Sequence, residues 1–424
     1  MKKTGLILLL FFLYTFCFSQ DIDYARKIID TLSSPYMYGR GYVNNGEKIA
    51  ADFIKNEFIK DSLKTFNSTY LQPFNISINT FPQKISLVID DKEMKSGVDY
   101  LVSSGSASVK SDYDIIWLTK NTIVDEYKFK KFIKNDLSNK VIIVDKTNIT
   151  NERHLEYIQF LKNYNTFKVK AVIFVEDKLL WHIADGQKVK NFTVIEILKS
   201  SISHNAKKIH LDIKNKFFDN YTTNNIIGYV KGRLNPDSFI VFSAHYDHLG
   251  CMGTDAYFPG ANDNASGTAM ILNLAKYYSK PENMPDYSIA FMSFSAEEVG
   301  LLGSKYYSEN PLFPLKNIKF LINLDMVGTG SEGIKIVNST ILKTEYNKLV
   351  EINEEKKYLK AIGKRGEAAN SDHYFFYKNG VRSFFIYTLG NEYKEYHNIN
   401  DKPPLPLTEY EDLFRLLRDF VKDL

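Results

Sequence analysis

Imidazole and carboxylate side chains recur along the C-terminal half of this 424-residue sequence, each near the end of an apolar run. The stretch FIVFSAHYDHLG supplies the first of them and GANDNASG the next. The full set is His245, Asp247, Asp263, Glu297, Glu298, Asp325 and His397. Imidazole nitrogens and carboxylate oxygens are zinc ligands, and a catalytic zinc site keeps one position open. These residue types therefore point to metal-dependent chemistry.

With Asp247 left aside and the adjacent glutamates counted once, the set offers two imidazoles and three carboxylates, which are more ligands than one catalytic zinc ion needs. They suit two ions if one of the carboxylates bridges the pair. Two metal ions ~3.5–4 Å apart can hold a water between them and lower its pKa towards ~7. The ligand count therefore favours a two-metal hydrolytic site.

Alternating strand and helix signals explain how the fold could bring these side chains together. From Asn224 onward, apolar strand-like runs such as FIVFSAH, YSIAFMSF, IKFLINLD and VRSFFIYTL are separated by helical or loop segments. This pattern favours an α/β fold with a mostly parallel sheet sandwiched by helices. Because ligands of open α/β sheets sit at the carboxyl ends of the strands, the candidate ligands share one rim.

Each of these residues alone has an ordinary structural explanation. A single histidine at a strand end is more often a hydrogen-bonded structural group than a ligand. The adjacent glutamates could complement a helix dipole, and Asp263 between two asparagines could be a turn or capping residue. Five such coincidences in loops after strands do not arise readily by chance, so the combination carries the prediction.

The sequence resembles the co-catalytic di-zinc exopeptidases of peptidase clan MH. These are the secreted aminopeptidases related to bacterial leucyl aminopeptidase, aminopeptidase Y and glutamate carboxypeptidase II. The matching stretches, in the family's order, are AHYDHLG, GANDNASG, SAEEVGLLGS, NLDMVG, SDHYFF and YHN. The earlier stretch GRGYVNNGEKIAADFI is also similar to the family's opening. The resemblance implies the phosphorylase/hydrolase-like fold of zinc exopeptidases.

Carried over residue by residue, the resemblance implies a ligand set for two zinc ions. His245 and Asp325 would bind one ion, and Glu298 and His397 would bind the other. Asp263 would bridge the two ions. The family often follows its final histidine ligand with Thr-Pro, whereas this sequence has Asn-Ile, which affects the expected loop shape rather than the ligand.

Two further carboxylates receive catalytic roles from the same resemblance. Glu297 would be the general base and acid, taking a proton from the bridging water and passing it to the leaving amine. Asp247 lies two residues after His245, on the same face of an extended strand, and would orient that imidazole. The sequence leaves the roles of four neighbouring residues open: His248, Asp372, His373 and Tyr396.

The resemblance implies a secreted zinc-dependent aminopeptidase that hydrolyses the N-terminal bond of peptides through a hydroxide held by two zinc ions. One alternative keeps the site and changes the substrate, giving a carboxypeptidase, a dipeptidase or a glutaminyl-cyclase-like enzyme. A cyclase is expected to use a single zinc ion, and a carboxypeptidase needs a cationic pocket for the substrate carboxylate. The other alternative is a catalytically inactive binding protein, which would be expected to lack ligands or the base.

The sequence divides into four segments. Residues 1–19 are expected to be a signal peptide, and residues 20–98 the N-terminal part of the peptidase domain. Residues 99–213 contain short β-branched runs such as NKVIIVD and AVIFVED, and they resemble a protease-associated domain. This segment is therefore predicted to be a small β-rich insert, with the catalytic domain completed by residues 214–424.

The composition is that of a globular chain, with 44% hydrophobic and 25% charged residues. The formal net charge of +4 is small for this length and no basic stripe is evident, so nucleic-acid binding is not supported. Peptides with a free N-terminus are the expected partners, and no transmembrane segment is expected after signal removal. The sequence does not determine the oligomeric state.

The N-terminus predicts export. Lys2 and Lys3 precede an apolar stretch over residues 6–18, which is shorter than the ~20 residues of a membrane span and typical of a signal peptide. A lipid anchor at Cys17 is disfavoured by the bulky Phe16. The expected location is secreted or periplasmic, and signal removal would leave Cys251 without an intrachain disulfide partner.

Overall fold

The computed structural model describes residues 21–424, and the predicted signal peptide lies outside this range. Within it the chain forms ten α-helices and 18 strands. The helices are α1 Ile22–Leu32, α2 Gly46–Lys60, α3 Lys120–Ile123, α4 Glu126–Phe132, α5 Glu152–Asn163, α6 Gly267–Tyr278, α7 Leu302–Glu309, α8 Lys343–Lys356, α9 His373–Lys378 and α10 Tyr410–Asp423. None of the helices in the described range is long and apolar enough to cross a membrane.

The strands form two eight-stranded sheets and one small hairpin. In chain order they are β1 Leu71–Thr80, β2 Ser86–Ile89, β3 Lys92–Glu93, β4 Tyr100–Val102, β5 Val109–Thr119, β6 Lys140–Asp145, β7 Ala171–Glu176, β8 Thr193–Leu198, β9 Lys208–Ile213, β10 Lys216–Val230, β11 Asn235–His245, β12 Gly250–Met252, β13 Ala256–Phe258, β14 Tyr287–Phe294, β15 Ile318–Leu324, β16 Gly333–Val337, β17 Ile362–Lys364 and β18 Ser383–Leu389. The hairpin pairs β12 with β13.

The first sheet has the strand order β1-β10-β14-β11-β15-β18-β16-β17. Its four central strands, β14, β11, β15 and β18, are parallel to one another. On either side the sheet continues with antiparallel pairs, β10 with β14 and β16 with β18. The predicted α/β fold is confirmed, with the parallel arrangement in the centre of the sheet, so four carboxyl ends share one rim.

The central strands are apolar on both faces because both faces are covered. In β11, Ile240 and Phe242 join the core formed with α1, α6 and α10. Phe239 and Val241 point the opposite way and join the core formed with α7 and α9. This two-sided burial explains the continuous apolar run before His245, and it makes the strand a rigid support for the side chains that follow it.

Helix α1 buries one apolar face. In α1, the buried residues Ala25, Ile28, Ile29 and Leu32 recur at intervals of three and four, which places them on one face. The Asp21 side chain accepts a hydrogen bond from the Tyr24 N–H at 2.9 Å and caps the helix. The buried face of α1 contacts α6, so it helps to hold the helix that follows Asp263.

The second sheet has the order β3-β2-β9-β5-β6-β7-β8-β4. Strands β5 to β8 are parallel, and helix α5 packs against them through Ile158 and Leu161. The predicted insert therefore contains helices as well as strands. Strands β2 and β3 belong to this sheet because β2 pairs with β9, although sequence analysis placed them in the 20–98 segment. The domain limits themselves remain a prediction.

The two sheets are joined by a ribbon of paired strands, which we call the β1–β10 ribbon. Strands β1 and β10 pair in antiparallel fashion from Leu71 opposite Ile226 to Thr80 opposite Lys216. The chain enters the second sheet just after Thr80 and returns from it just before Lys216. Both connections therefore leave from the same end of one hydrogen-bonded ribbon.

Candidate metal centre

The predicted site residues meet at the carboxyl rim of the first sheet. His245 ends β11, the adjacent glutamates follow β14, and Asp325 follows β15 directly. Asp263 lies in a short irregular helical turn, Ala261–Ser266, that leads into α6. His397 lies in the loop after β18. The structure thus brings together all five predicted ligands from distant parts of the sequence.

The Asp263 carboxylate lies between two imidazoles. Its Oδ1 is 3.3 Å from Nε2 of His245, and its Oδ2 is 3.0 Å from Nε2 of His397. Each oxygen therefore faces a different histidine. A carboxylate placed in this way can be shared by two neighbouring cations.

One side of the cluster is formed around His245. Its Nε2 is 3.4 Å from Oδ1 of Asp325 and 4.0 Å from Oε2 of Glu297. The Ser371 hydroxyl donates to the other Asp325 oxygen at 2.8 Å and accepts from the Asn323 side chain at 2.7 Å. Ser371 therefore fixes the orientation of the Asp325 carboxylate.

The other side of the cluster is formed around Glu298. Its Oε2 is 3.3 Å from Nε2 of His397, and its Oε1 is 2.8 Å from Nδ1 of His248. His248 is fully buried, and its Nε2 has no hydrogen-bond partner within residues 21–424. Ligand atoms of His248, Asp263 and Glu298 lie within 4.8 Å of one another, so His248 as well as His397 borders this side of the cluster.

Asp247 contacts the glutamate pair more closely than it contacts the imidazole. Its carboxylate accepts hydrogen bonds from the backbone N–H groups of Glu297 at 3.1 Å and Glu298 at 3.4 Å. The His245 Nδ1 is 3.1 Å from the Asp247 backbone oxygen but 3.8 Å from its carboxylate. The Asp247 backbone oxygen therefore orients the His245 imidazole, and the Asp247 carboxylate holds the loop that carries both glutamates.

Two buried side chains that sequence reasoning did not place at the site hold the Asp263 turn. The Asp401 carboxylate accepts from the backbone N–H of Asn262 at 2.8 Å and of Asp263 at 3.0 Å. Arg40 donates to backbone oxygens, including that of Gly260 at 2.7 Å. All the hydrogen-bond partners of the Arg40 guanidinium among the described residues are backbone carbonyl groups. No motif marks Asp401, whose role depends on its burial and position.

Gly260 allows this turn to pack closely. Its backbone φ is +61°, a conformation that favours glycine. A Cβ atom added here would collide with the His248 ring and with the backbone oxygen of Asp263. The glycine in GANDNASG therefore lets the turn approach the imidazole.

A loop of the second sheet reaches the same site. The Trp181 N–H donates to the His397 backbone oxygen at 2.9 Å. Next to it, Nδ1 of His182 is 3.1 Å from Nδ1 of His397, with the ring centroids 4.7 Å apart. Sequence reasoning missed His182 because it lies in the predicted insert, far from every recognised motif. The second sheet thus contacts the metal centre through His397.

The pKa values within the cluster reflect strong charge coupling. Burial raises the pKa of Glu297 well above its usual range, and the neighbouring Glu298 and Asp325 carboxylates add to this despite the nearby His245. Burial alone would lower the pKa of His245, but the carboxylates around it outweigh that effect and raise it well above normal. Buried carboxylates at this density are stabilised by positive charge, which a divalent cation supplies.

The donor set fits zinc. Nitrogen and oxygen donors converge in two buried groups, one with His245, Glu297 and Asp325 and one with His248, Asp263 and Glu298, each with ligand atoms within 4.8 Å. Imidazole with carboxylate is a ligand combination that zinc accepts. The geometry therefore accommodates cations on both sides of Asp263.

A cavity of about 430 Å³ opens next to the cluster. Its lining includes Glu297, Arg365, Phe385, Tyr387 and Tyr396. The Tyr396 ring stacks on His397 with centroids 3.8 Å apart. Of the residues whose roles the sequence left open, Asp372 and His373 are buried and are not part of the described lining.

Comparison with solved structures shows the fold class. The structure of BSAP, a zinc aminopeptidase from Bacillus subtilis, matches with a TM-score of 0.70 at 24% identity, covering 95% of this chain and 94% of that one. A peptidase M28 precursor from Shewanella amazonensis matches with a TM-score of 0.64 at 16% identity, covering 95% of this chain and 96% of that one. The chain therefore has the α/β fold of solved zinc aminopeptidases.

The sequence comparisons point to a particular family. Residues 225–421 match the model of peptidase family M28. Aminopeptidase YwaD from Bacillus subtilis is 29% identical over 298 residues, covering 68% of this chain and 61% of that protein. A probable zinc metalloprotease from Pyricularia oryzae is 36% identical over 115 residues, covering 26% of this chain and 22% of that protein. The matches span less than two thirds of either relative.

Proposed function

We propose that this chain is a zinc-dependent aminopeptidase that removes residues from the free N-terminus of peptides. The observation that carries the proposal is the Asp263 carboxylate, whose two oxygens face His245 and His397 at 3.3 and 3.0 Å beside an open cavity. The match of residues 225–421 to the model of peptidase family M28 supports the reaction class. The relatives described as aminopeptidases support the choice of the N-terminal bond.

The proposed ligands are the five side chains predicted from sequence. His245 and Asp325 would hold one zinc ion, Glu298 and His397 the other, and Asp263 both. When bound, zinc would polarise the scissile carbonyl and lower the pKa of a water molecule. His248 would hold Glu298 through the 2.8 Å contact at Nδ1.

Glu297 is the proposed general base and acid. Its side chain lines the cavity and is 13% exposed, whereas the Glu298 side chain is 5% exposed and contacts two imidazoles. Glu297 would accept a proton from the attacking water and donate it to the departing amine. Asp247 would keep the Glu297 backbone in place through the hydrogen bond to its N–H.

The location of the enzyme is a separate proposal. The N-terminal Lys-Lys pair and the apolar stretch over residues 6–18 support export by a signal peptide. The chain would act on peptides in the periplasm or outside the cell. Detection of the mature N-terminus in extracytoplasmic fractions, by mass spectrometry, tests this separately from activity.

A panel of peptides tests the reaction. Each peptide is offered with a free and with an N-acetylated terminus, and the products are identified by mass spectrometry. We expect single residues to be released from free N-termini only. Release from the C-terminus would instead favour the carboxypeptidase alternative, and equal cleavage of acetylated peptides would contradict the aminopeptidase proposal.

A further inference from the structure

The cavity beside the metal centre contains a positive charge that the proposed reaction does not use. Among the described residues that line it, Arg365 is the only arginine or lysine. The acidic residues of the lining, Asp263, Glu297, Glu298 and Asp325, all belong to the proposed metal centre. The cavity therefore has an acidic side, formed by the proposed metal ligands and base, and a separate cationic group.

The charge of Arg365 is not neutralised by the protein. Within residues 21–424, no carboxylate lies within 4.0 Å of its guanidinium nitrogens, although four other arginines each have such a partner. Its Nη1 donates to the Tyr387 hydroxyl at 3.1 Å, and its guanidinium carbon is 5.9 Å from the centroid of that ring. Because a guanidinium has five N–H donors, most of its donors remain for a ligand.

Arg365 is also held in place by its backbone. Its N–H donates to the Ile336 carbonyl at 3.0 Å, and its own carbonyl accepts from the Ser339 hydroxyl at 3.2 Å. These contacts attach the residue to the end of β16. A side chain presented from a fixed strand end, with an aromatic hydroxyl as support, is suited to binding rather than to general solvation.

We propose that Arg365 binds a carboxylate group of the substrate. A planar guanidinium matches a carboxylate through two parallel hydrogen bonds, and the contact is stronger in a partly buried cavity than in water. The inference rests on the proposed function and specifies its substrate class: peptides whose amine faces the acidic side and whose carboxylate faces Arg365. That carboxylate comes either from an acidic first side chain or from the C-terminus of a very short peptide.

Matched peptide pairs separate these two sources. In the first pair, tripeptide amides begin with glutamate or with glutamine, so that only the first side chain changes charge. In the second pair, a leucyl dipeptide carries a free or an amidated C-terminus. The zinc-loaded enzyme is compared with Arg365→Gln, and Arg153→Gln on the exposed surface of α5 controls for the loss of one positive charge.

We expect kcat/KM to be at least about tenfold higher for the carboxylate member of one pair, because hydrogen bonds to charged groups are the stronger ones. In Arg365→Gln this preference should disappear while hydrolysis of the neutral member continues. Arg153→Gln should keep the preference. The pair that shows the effect identifies which carboxylate Arg365 binds.

Equal rates within both pairs would overturn the inference, and so would a preference that survives in Arg365→Gln. Either result leaves the proposed aminopeptidase function intact if the neutral peptides are cleaved.

Calorimetry with the zinc-loaded Glu297→Gln variant measures peptide binding apart from turnover. The enzyme could cleave no peptide and yet bind the carboxylate member of a pair more tightly, with Arg365→Gln removing that difference in Kd. In that case the inference stands and the proposed function fails. If Kd shows no preference, the inference fails as well.

Discussion

Glu297 and Glu298 are neighbours in the chain, yet their carboxylates have different surroundings. Glu297 opens into the cavity and is 4.0 Å from the His245 Nε2. Glu298 lies between His248 and His397, at 2.8 and 3.3 Å. Two residues of the same type can therefore be assigned separate roles by their contacts.

Replacing Glu297 with glutamine should remove turnover and leave metal bound. The amide keeps the size of the side chain but cannot take a proton from water, so kcat should fall by about 10²–10⁴-fold. Zinc content, measured by elemental analysis, should equal that of the wild type. Recovery of activity on adding zinc would contradict this role.

Replacing Glu298 with glutamine should weaken metal binding instead. A neutral amide is a poorer zinc ligand than a carboxylate, so zinc content should fall and activity should return in part with added zinc. Zinc titrations of both variants give the comparison. If Glu297→Gln loses metal and Glu298→Gln keeps it, the two roles are reversed.

Asp247→Asn should lower activity without changing the metal ligands themselves. An amide can turn an N–H group towards the Glu297 N–H, which weakens the acceptor that fixes this loop. Residues that support a site in this way typically contribute about 10–100-fold in affinity or activity. Steady-state kinetics at saturating zinc should show the loss in kcat. A loss confined to zinc affinity would instead assign Asp247 to the support of His245.

The residues that form the cluster could be predicted from sequence, whereas their supports could not. The ligand candidates combine distinctive residue types with positions after apolar strands. His182 and Asp401 act through contacts between segments that are far apart in sequence, and nothing local marks them. The position of Arg365 at the cavity likewise follows only from the fold and could not be predicted from the sequence.

At the level of secondary structure, the alternation of strands and helices predicted the central parallel strands. It did not predict the antiparallel pairs on either side, because the direction of pairing depends on the partner strand rather than on a strand's own pattern. The same limit explains the placement of β2. Its short alternating pattern is compatible with either sheet, and the pairing of β2 with β9 places it in the second sheet.

The loop that carries Trp181 and His182 makes the second sheet part of the metal centre. His182→Ala should lower zinc affinity by about 10–100-fold, because the second nitrogen of a ligating histidine needs a partner that fixes the ring. His210→Ala, which lies in the same sheet beside Asp112, should bind zinc as the wild type does. Competition with a zinc chelator measures both. Unchanged affinity in His182→Ala would show that the backbone contact of Trp181 suffices.

For the whole molecule, the buried carboxyl of Glu47 predicts a pH dependence of stability. Burial raises the pKa of Glu47 to about 8 from an ordinary value of 4.5. Between these two pKa values, the Glu47 carboxyl group is protonated in the folded state and ionised in the unfolded state. Its stabilising contribution is complete below pH 4.5 and is lost as the pH rises towards about 8, by about 1.4 kcal/mol per pH unit for one proton.

Glu47→Gln should remove this part of the dependence. The free energy of unfolding of the wild type, minus that of the variant, should fall between pH 5 and about 8 when measured by urea denaturation at constant zinc. Glu351→Gln, on the exposed side of α8, is the matched control and should follow the wild type. If this difference in unfolding free energy does not change with pH, Glu47 has the same pKa in the folded and the unfolded state.

The β1–β10 ribbon has a consequence for the kinetics of the enzyme. Beyond the ribbon, the second sheet is tied to the first by the Trp181 hydrogen bond to His397 and by a buried cluster in which Trp181 packs with Phe258 and Val299, so it is not free to swing as a lid. The loop with His182, whose Ala184 lines the cavity, should stay in place during the whole catalytic cycle. We therefore expect a cavity entrance of constant width. Turnover should then proceed without an opening step, and its rate should change little with solvent viscosity.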